Sequence, residues 1–288
     1  MRLMRVGQAG HERPVVSADG ATWFDAREIA ADYDSAFFAA DGIEQLRAAL
    51  ASGSLPLVPI EHLRMGPPIM RPPSIICIGM NYAAHAAESG ARAPEDVVIF
   101  FKKSNTLAGA RDPIRRVDAF STLDWEVELG VVIGNELHGD VSKGEAGSAV
   151  AGYVLANDLS DRWMQIDRSG GQWSKGKSFP GSCTLGPWML TAEEVADPQA
   201  LRLRSWVNEE PRQDSNTVDM IFAVSEILID LARVMRLEPG DLILTGTPQG
   251  VALSGRFPYM KSGDTVRMTI DGLGEIQQTV APSFTKES

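Results

Sequence analysis

Three acidic residues on two apolar stretches have the types and spacing of a divalent-metal site. Glu126 and Glu128 stand two positions apart in DWEVELGVVIG, so a strand would point both carboxylates to one face. Further along, AGYVLAND ends a second apolar run at Asp158. If these strands are neighbours in a sheet, the three carboxylates form an all-oxygen site, which suits Mg²⁺ or Mn²⁺.

The alternative interpretation of Glu126 and Glu128 is a solvated acidic face on an edge strand, because charged residues are usually exposed. The unbroken apolar run GVVIG that follows favours a strand covered on both faces. Carboxylates two positions apart on such a strand lie about 7 Å from each other and repel, and a bound cation would relieve that repulsion. Asp124 stands at the strand entrance beside Trp125. We expect it to be solvated or to lie behind the ligands.

The segment SIICIGMNYAAHAAESG carries a candidate general base. His85 and Glu88 are spaced so that imidazole and carboxylate share one helical face. A carboxylate beside a histidine orients the ring and stabilises its charged form. A surface helix with an ordinary ion pair is the alternative. The pair closely follows an apolar strand and Gly79, where folds commonly build sites, and this position favours His85 as the base that activates water.

Residues 171–178, GQWSKGKS, match the phosphate-binding P-loop pattern, but their surroundings argue against nucleotide binding. A P-loop needs a buried strand before it and a helix after it. Here a polar stretch precedes the motif, and Pro180 and Gly181 would break a helix at its first turn. Lys177 remains a candidate for stabilising a developing oxyanion or enolate, against the alternative of a solvated loop lysine.

The elements that must position these residues are mostly strands. Short apolar segments recur, among them SIICIG, VVIFF, VELGVVIG, AGYVLAND and DLILTG. The pairs Asp19-Gly20 and Asp271-Gly272 are typical of tight hairpins. Helical spacing followed by a glycine predicts a helix over residues 42–52. Without regular strand-helix alternation, the pattern predicts a strand-dominated α+β protein.

A proline-rich run over residues 54–74 predicts a domain boundary near residue 68. We therefore expect a small N-terminal α/β domain, residues 1–68, and a catalytic domain, residues 69–288. The chain has 288 residues, of which 44% are hydrophobic, so it can bury a sizeable core.

Composition and motifs exclude several classes of protein. The chain has two cysteines, each in its own apolar context, so a disulfide framework is not expected. The formal charge is −11 and no basic cluster is present, which argues against a nucleic-acid partner. The sequence has no signal-peptide pattern and no membrane-spanning run, which predicts a cytoplasmic location without membrane association. The motifs of serine hydrolases, zinc peptidases and dinucleotide enzymes are missing.

Six motifs, taken in order, resemble the fumarylacetoacetate hydrolase family, including its shorter members. They are IGMNYAAHAAE, DWEVELGVVIG, LANDLSDRWMQ, GKSFPGSCTLGPW, NEEPRQDSNTVDMIF and LILTGTPQGVA. The resemblance covers about residues 70–282. It implies a mixed β-roll core, usually dimeric, with Mg²⁺ or Mn²⁺ held by Glu126, Glu128 and Asp158.

The resemblance also implies roles for individual residues. His85 and Glu88 would form a water-activating dyad on a lid that orders over the substrate, and Lys177 would contact a substrate oxygen. Thr247 would hold the substrate carboxylate. The substrate-binding candidates are Tyr82, Gln165, Thr247, Gln213 and Asn216. The run KSFPGSC departs from the KxFDTF-like run of many members, and we expect Pro180, Gly181 and Ser182 to reshape the pocket wall.

An α-keto acid can chelate a divalent ion, which stabilises the enolate that forms when the neighbouring carbon bond breaks. The sequence therefore predicts a metal-dependent C–C bond hydrolase acting on a 2,4-diketo acid, either an acylpyruvate or a 2,4-diketo-3-deoxy sugar acid. The product would be pyruvate or a related 2-keto acid. Oxaloacetate decarboxylation and a 2-hydroxyhepta-dienedioate-type isomerisation are alternatives on the same site, and a non-catalytic scaffold is a more distant one.

Overall fold

The computed structural model describes residues 1–115 and 122–282. The strands are β1 (Arg2–Val6), β2 (Arg13–Ser17), β3 (Phe24–Asp25), β4 (Ile75–Gly79), β5 (Val98–Lys102), β6 (Leu107–Gly109), β7 (Leu123–Asp124), β8 (Val127–Ile133), β9 (Val150–Asp158), β10 (Ser160–Asp161), β11 (Cys183–Thr191), β12 (Arg202–Val207), β13 (Glu210–Asn216), β14 (Leu242–Leu244), β15 (Thr265–Ile270) and β16 (Gly274–Thr279). The α-helices are α1 (Ser35–Ala39), α2 (Gly42–Ser52), α3 (Ala83–Glu88), α4 (Lys143–Ser148), α5 (Trp173–Lys177) and α6 (Val224–Val234). A π-helix spans Trp163–Arg168, and single 3₁₀ turns span Ser104–Thr106, Ala192–Glu194, Thr217–Asp219 and Ala252–Ser254.

A mixed sheet organises the fold. In the described part of the chain it has ten strands, in the order β3-β2-β1-β11-β9-β8-β14-β4-β5, with β6 beside β11. The pairs β14–β4 and β11–β6 are parallel, and the other neighbours are antiparallel. A second, four-stranded sheet has the order β13-β12-β15-β16. The predicted strand-dominated α+β class is confirmed.

The central strands β8 and β9 are buried along their whole length. Val127, Leu129 and Val131 of β8 pack in one core with α6 and the second sheet. Val132 packs in a second core, on the other face, with residues of α1 and α2. Because side chains alternate between faces, Glu128 shares the second face with Val132. The apolar run after the acidic residues is therefore covered on both sides, as the sequence predicted.

The first 68 residues join the same sheet. β1 pairs with β11, with Arg2 opposite Leu190 and Leu3 opposite Met189. The predicted helix over residues 42–52 is confirmed as α2, and Gly53 ends it at φ 67°. The strands of this segment extend the main sheet and do not form a sheet of their own. The division into domains at residue 68 stays a prediction.

The two Asp-Gly pairs behave differently. Asp271-Gly272 lies in a tight hairpin, since Ile270 of β15 pairs with Gly274 of β16. The tight turn expected at Asp19-Gly20 is wrong, because residues 18–23 form a longer connection between β2 and β3. The Asp19 carboxylate accepts hydrogen bonds from the backbone amides of the two residues after Gly20, both at 2.8 Å, and this stabilises the wider loop.

Among the helices in residues 1–115 and 122–282, none is both long and apolar enough to cross a membrane.

Candidate active site

The pairing of β8 with β9 brings the three predicted ligands together. Glu126 directly precedes β8, and its carbonyl accepts a hydrogen bond of 3.0 Å from the amide of Asp158, at the end of β9. Glu128 lies opposite Ala156 in the same pair. One carboxylate oxygen from each of Glu126, Glu128 and Asp158 lies within 4.8 Å of the others, and all three residues are buried. We call this set the carboxylate trio.

Three buried cations lie against two members of the trio. Lys177 Nζ lies 2.5 Å from Glu126 Oε2 and 2.7 Å from Asp158 Oδ2. Arg162 Nη2 lies 2.6 Å from Glu126 Oε1, and Lys102 Nζ lies 2.5 Å from Asp158 Oδ1. Lys102 and Arg162 were not among the residues predicted from the sequence. The available signal was a cation at the end of an apolar run, in VVIFFK and in LANDLSDR.

Glu128 differs from its two neighbours. The amide of Gly246 donates to Glu128 Oε2 at 2.8 Å, but within the described residues no lysine or arginine forms an ion pair with it. Burial, together with repulsion from Asp158 and Glu126, holds the pKa of Glu128 well above its usual range. Burial also opposes ionisation of Glu126, but Lys177 and Arg162 outweigh it and lower the pKa of that carboxyl.

The trio suits a divalent cation. Three carboxylate ligands of this kind are the oxygen donors that Mg²⁺ and Mn²⁺ prefer. Each carboxylate has about four lone-pair positions, so Glu126 and Asp158 can bind an ion while keeping contacts to lysine. Glu128 has an oxygen to offer and no cation partner among the described residues. This cluster of side chains can therefore accept an additional positive charge.

A cavity of about 260 Å³ opens over the trio. Its lining consists of Ile78, Gly79, Met80, His85, Ser89, Ala91, Phe100, Glu126, Glu128, Arg162, Gln165, Ile166, Trp173, Lys177, Thr247 and Leu253. Four residues predicted for chemistry or substrate contact line it together with two of the ligands. Motifs that are far apart in the sequence therefore meet around this one cavity.

His85 and Glu88 lie on one face of α3. His85 Nδ1 is 3.0 Å from Glu88 Oε1, and the amide of Gly250 donates to the two oxygens of Glu88 at 2.9 and 3.0 Å. Because an ionised carboxylate only accepts hydrogen bonds, Nδ1 of a neutral His85 carries the proton. Nε2 is then left as an acceptor for a water molecule. Whether this segment acts as a lid stays a prediction.

Lys177 is 2% exposed, so it is not a solvated loop lysine. It ends α5, which follows the π-helix and not a buried strand, and the P-loop context is therefore absent from this segment. Gln165 is buried and accepts a hydrogen bond of 3.0 Å from Arg162 Nη1. The hydroxyl of Thr247 donates to the Val127 carbonyl at 2.9 Å, which fixes its position on the cavity wall.

Three substrate-binding candidates lie outside this lining. Gln213 lies behind Thr247, and its Nε2 donates to the threonine hydroxyl at 2.8 Å. Asn216 caps the turn Thr217–Asp219, accepting from the amide of Val218 at 2.9 Å. Tyr82 is buried in the apolar core at the start of α3. The expectation that Gln213 and Asn216 line the pocket is therefore corrected, because both side chains are engaged in holding backbone or a neighbouring hydroxyl.

Asp124 meets the second of the two expectations stated for it, and the expectation for residues 180–182 is corrected. Asp124 is fully buried, and it accepts from Arg162 Nε at 2.7 Å and from the Ala252 amide at 2.8 Å. It lies behind the ligands and holds the arginine that contacts Glu126. Pro180, Gly181 and Ser182 lie outside the cavity lining, and the Ser182 hydroxyl donates to the Lys177 carbonyl at 2.7 Å.

Comparison with known proteins agrees with this geometry. The family model described as fumarylacetoacetate (FAA) hydrolase C-terminal matches residues 74–281. The chain belongs to the fumarylacetoacetate hydrolase family. A member from Burkholderia multivorans, whose name says only that it is held to be a hydrolase, is 43% identical over 282 residues. That match covers 96% of this chain and 97% of the relative.

Two solved structures show which activities are named among similar proteins. Maleylpyruvate hydrolase from Sphingobium sp. SYK-6, in complex with manganese(II) and pyruvate, is 28% identical with a TM-score of 0.81, covering 99% of this chain and 100% of that one. A 2-hydroxyhepta-2,4-diene-1,7-dioate isomerase from Mycobacterium marinum is 32% identical with a TM-score of 0.74, covering 98% of each chain. The family resemblance thus extends to a hydrolase and to an isomerase.

Proposed function

We propose that this protein is a divalent-metal-dependent hydrolase that cleaves a C–C bond in a 2,4-diketo acid and releases pyruvate or a related 2-keto acid. One observation carries the proposal: Glu126 and Glu128, from a carboxylate trio with incomplete charge compensation, line the same cavity as His85, whose ring contacts Glu88. The first feature suits a keto acid bound to a cation, and the second suits a water molecule made nucleophilic.

Glu126, Glu128 and Asp158 would hold Mg²⁺ or Mn²⁺. When bound, the ion supplies polarisation of a keto oxygen and stabilisation of negative charge on an enolate. The relative that contains manganese(II) and pyruvate supports this assignment.

The buried floor of the cavity provides groups for the keto-acid head. Lys177 and Arg162 place positive charge there, although both are partly neutralised by carboxylates. The side chains of Gln165 and Thr247 add a fixed amide and a fixed hydroxyl to the cavity wall. An anionic head with several oxygens therefore finds charge and hydrogen-bonding groups on the floor.

The dyad would act on water. His85 Nε2 takes a proton from a water molecule, and Glu88 stabilises the imidazolium that results. The hydroxyl group adds to the distal carbonyl carbon of the substrate, and the bond between that carbon and the pyruvyl CH₂ breaks. The electron pair of that bond passes to the departing pyruvate enolate, which then takes up a proton. The other product is the free carboxylic acid of the acyl group.

Isomerisation and decarboxylation are alternatives on the same floor, and the isomerase relative supports the first of them. Neither reaction adds a water molecule to a carbonyl carbon. The carboxylate-oriented His85 in the cavity favours hydrolysis, because it provides a base for water. The homodimer and the cytoplasmic location stay predictions.

Reaction products in water labelled with oxygen-18 would test the proposal. Acetylpyruvate, a 2,4-diketo-3-deoxy sugar acid, oxaloacetate and a dienedioate are each incubated with Mn²⁺, Mg²⁺ or chelator. We expect chelator-sensitive release of pyruvate and one labelled oxygen in the acid derived from the acyl group. Carbon dioxide from oxaloacetate alone would instead support a decarboxylase. Isomer without label would support an isomerase, and a folded but inert protein would support a scaffold.

A further inference from the structure

We propose that the substrate carries an apolar acyl group, so that the protein prefers alkyl or aromatic acylpyruvates to dicarboxylic or sugar-derived diketo acids. This inference rests on the proposed function, because it concerns the acyl end of the same substrate. The composition and burial of the cavity wall away from the carboxylate trio support it.

Burial divides the cavity lining into a floor and a rim. The residues of the charged and polar floor are buried: His85, Glu126, Glu128, Arg162, Gln165, Lys177 and Thr247. The half-buried and exposed lining residues form the rim: Met80, Ser89, Ala91, Ile166, Trp173 and Leu253. Apart from Ser89, the rim is apolar. A substrate whose head binds the floor therefore directs its other end to an apolar surface.

An aromatic wall joins the floor to the rim. The rings of Phe100 and Trp173 pack edge to face, with centroids 5.5 Å apart. Lys177 Nζ lies 5.2 Å from the centroid of Phe100, so the wall begins where the charged floor ends. A Cβ atom on Gly79 would come within 2.5 Å of the Trp173 ring, and glycine at this position admits the indole. The rings offer an acyl group a flat apolar surface.

Met80 extends the apolar rim from the end of β4. Its φ of 55° lies in the left-handed region, which residues other than glycine, asparagine and aspartate rarely adopt. Such conformations persist where the surrounding structure imposes them, and they cluster at ligand sites. The flexible thioether chain of methionine can adapt to acyl groups of different shape.

Charge on the cavity wall disfavours the other substrate classes. The lysine and arginine among the described lining residues, Lys177 and Arg162, already form ion pairs with Glu126, and Asp158 or Asp124 takes a second contact from each. Among the described lining residues, no rim side chain offers a cation to a second carboxylate placed at Ile166 or Trp173. A polyol chain would find a single hydroxyl on the described rim. Buried polar groups without partners weaken binding, so both classes are expected to be poorer substrates.

A substrate series tests this inference through kcat/KM with Mn²⁺ present. From acetylpyruvate to butyrylpyruvate and hexanoylpyruvate, we expect an increase of about fourfold for each buried methylene. Benzoylpyruvate should be among the better substrates. Maleylpyruvate and a 2,4-diketo-3-deoxy sugar acid should be slower than butyrylpyruvate by roughly tenfold or more.

Two variants locate the preference. Trp173→Ala should lower kcat/KM for benzoylpyruvate and hexanoylpyruvate by roughly tenfold to a hundredfold and change that for acetylpyruvate much less, and Trp173→Phe should restore most of the loss. Trp206→Ala, on the second sheet and outside the cavity lining, is the matched control and should preserve the series. Ile166→Lys adds a cation to the exposed rim and should raise kcat/KM for maleylpyruvate.

The outcomes separate this inference from the proposed function. If diketo acids are cleaved but maleylpyruvate or the sugar acid is fastest, the apolar acyl preference is overturned and the hydrolase proposal stands. An equal loss for all substrates in Trp173→Ala would also overturn it, because the tryptophan would then affect the fold or the floor. If Trp173→Ala does not fold, Ile166→Lys decides by the same substrate comparison. If no diketo acid is cleaved with either ion, both proposals fail.

Discussion

The charge cluster at the active site and a charge cluster at the N-terminal segment are compensated differently. The N-terminal cluster consists of Arg5, Glu12, Asp32, Arg64 and Asp112. Arg5 Nη2 lies 2.8 Å from Asp32 Oδ2, Arg64 Nη1 lies 2.6 Å from Glu12 Oε1, and Arg64 Nε lies 2.6 Å from Asp112 Oδ1. Each of its carboxylates thus has a guanidinium partner.

The active-site cluster leaves one carboxylate unmatched. Glu126 and Asp158 contact cations, whereas Glu128 has a backbone amide in place of a cation among the described residues. Burial acts to raise the pKa of Glu12, but its arginine partners outweigh it and the pKa is lowered. The pKa of Glu128 is raised by burial and by its like-charged neighbours. A matched cluster stabilises the fold, and an unmatched one is the place for a ligand.

Removing an unmatched carboxylate should have the largest effect on turnover. We expect Glu128→Gln to lower the rate of diketo-acid cleavage by roughly 10³-fold or more, because several kcal/mol of charge stabilisation depend on the bound ion. Glu12→Gln is the matched control from the N-terminal cluster and should leave the steady-state rate nearly unchanged. A Glu128→Gln enzyme that turns over like the wild type would contradict the comparison.

Removing the base should separate chemistry from metal binding. His85→Ala should slow hydrolysis by roughly 10²-fold to 10⁴-fold, since general-base catalysis has this magnitude. Mn²⁺ affinity, measured by calorimetry on the same preparation, should stay close to that of the wild type, because His85 is not a member of the trio. Hydrolysis at nearly the wild-type rate in His85→Ala would rule out this residue as the base.

Stability without metal should distinguish the two glutamates of the trio. Glu126→Gln should lower the free energy of unfolding by about 3 kcal/mol, because Lys177 and Arg162 each lose a buried partner. Glu128→Gln should change it by less than about 1 kcal/mol, because glutamine resembles the protonated acid that the raised pKa favours. Urea denaturation in the presence of chelator measures both values. The reverse order would show that charge is distributed differently in the trio.

Adding metal should stabilise the folded protein by slightly less than Glu126→Gln destabilises it. At a free Mn²⁺ concentration one hundred times Kd, binding raises the free energy of unfolding by about 2.7 kcal/mol. We expect this gain in the wild type and in Glu12→Gln, and not in Glu128→Gln. Thermal unfolding with and without chelator is the measurement, and an equal gain in all three proteins would place the ion elsewhere.

The sequence predicted the carboxylate trio because each of its two strands has a recognisable local pattern. β8 is apolar without alternation, its acidic residues precede that run at alternate positions, and β9 ends on an aspartate. Two such strands, each buried on both faces, are good candidates for neighbours in one sheet. The predicted helix over residues 42–52 was equally local, since its stop signal is a glycine at the next position.

The rest depends on contacts between distant parts of the chain. Lys102 contacts Asp158 although β5 and β9 are four positions apart in the strand order, and no spacing in the sequence encodes that contact. Gln213 was predicted to touch substrate, but the register of β13 places it behind Thr247. At residues 19–20, hydrogen bonds accepted by the Asp19 side chain override the usual preference of an Asp-Gly pair for a tight turn.

Calorimetric titration of Mn²⁺ into chelator-treated wild type, Glu128→Gln and Glu12→Gln would show whether the unmatched carboxylate holds the metal ion. We expect a single Mn²⁺ site per chain in the wild type and in Glu12→Gln, and its loss in Glu128→Gln with the fold intact. Binding in Glu128→Gln equal to that of the wild type, or no binding in the wild type, would contradict it.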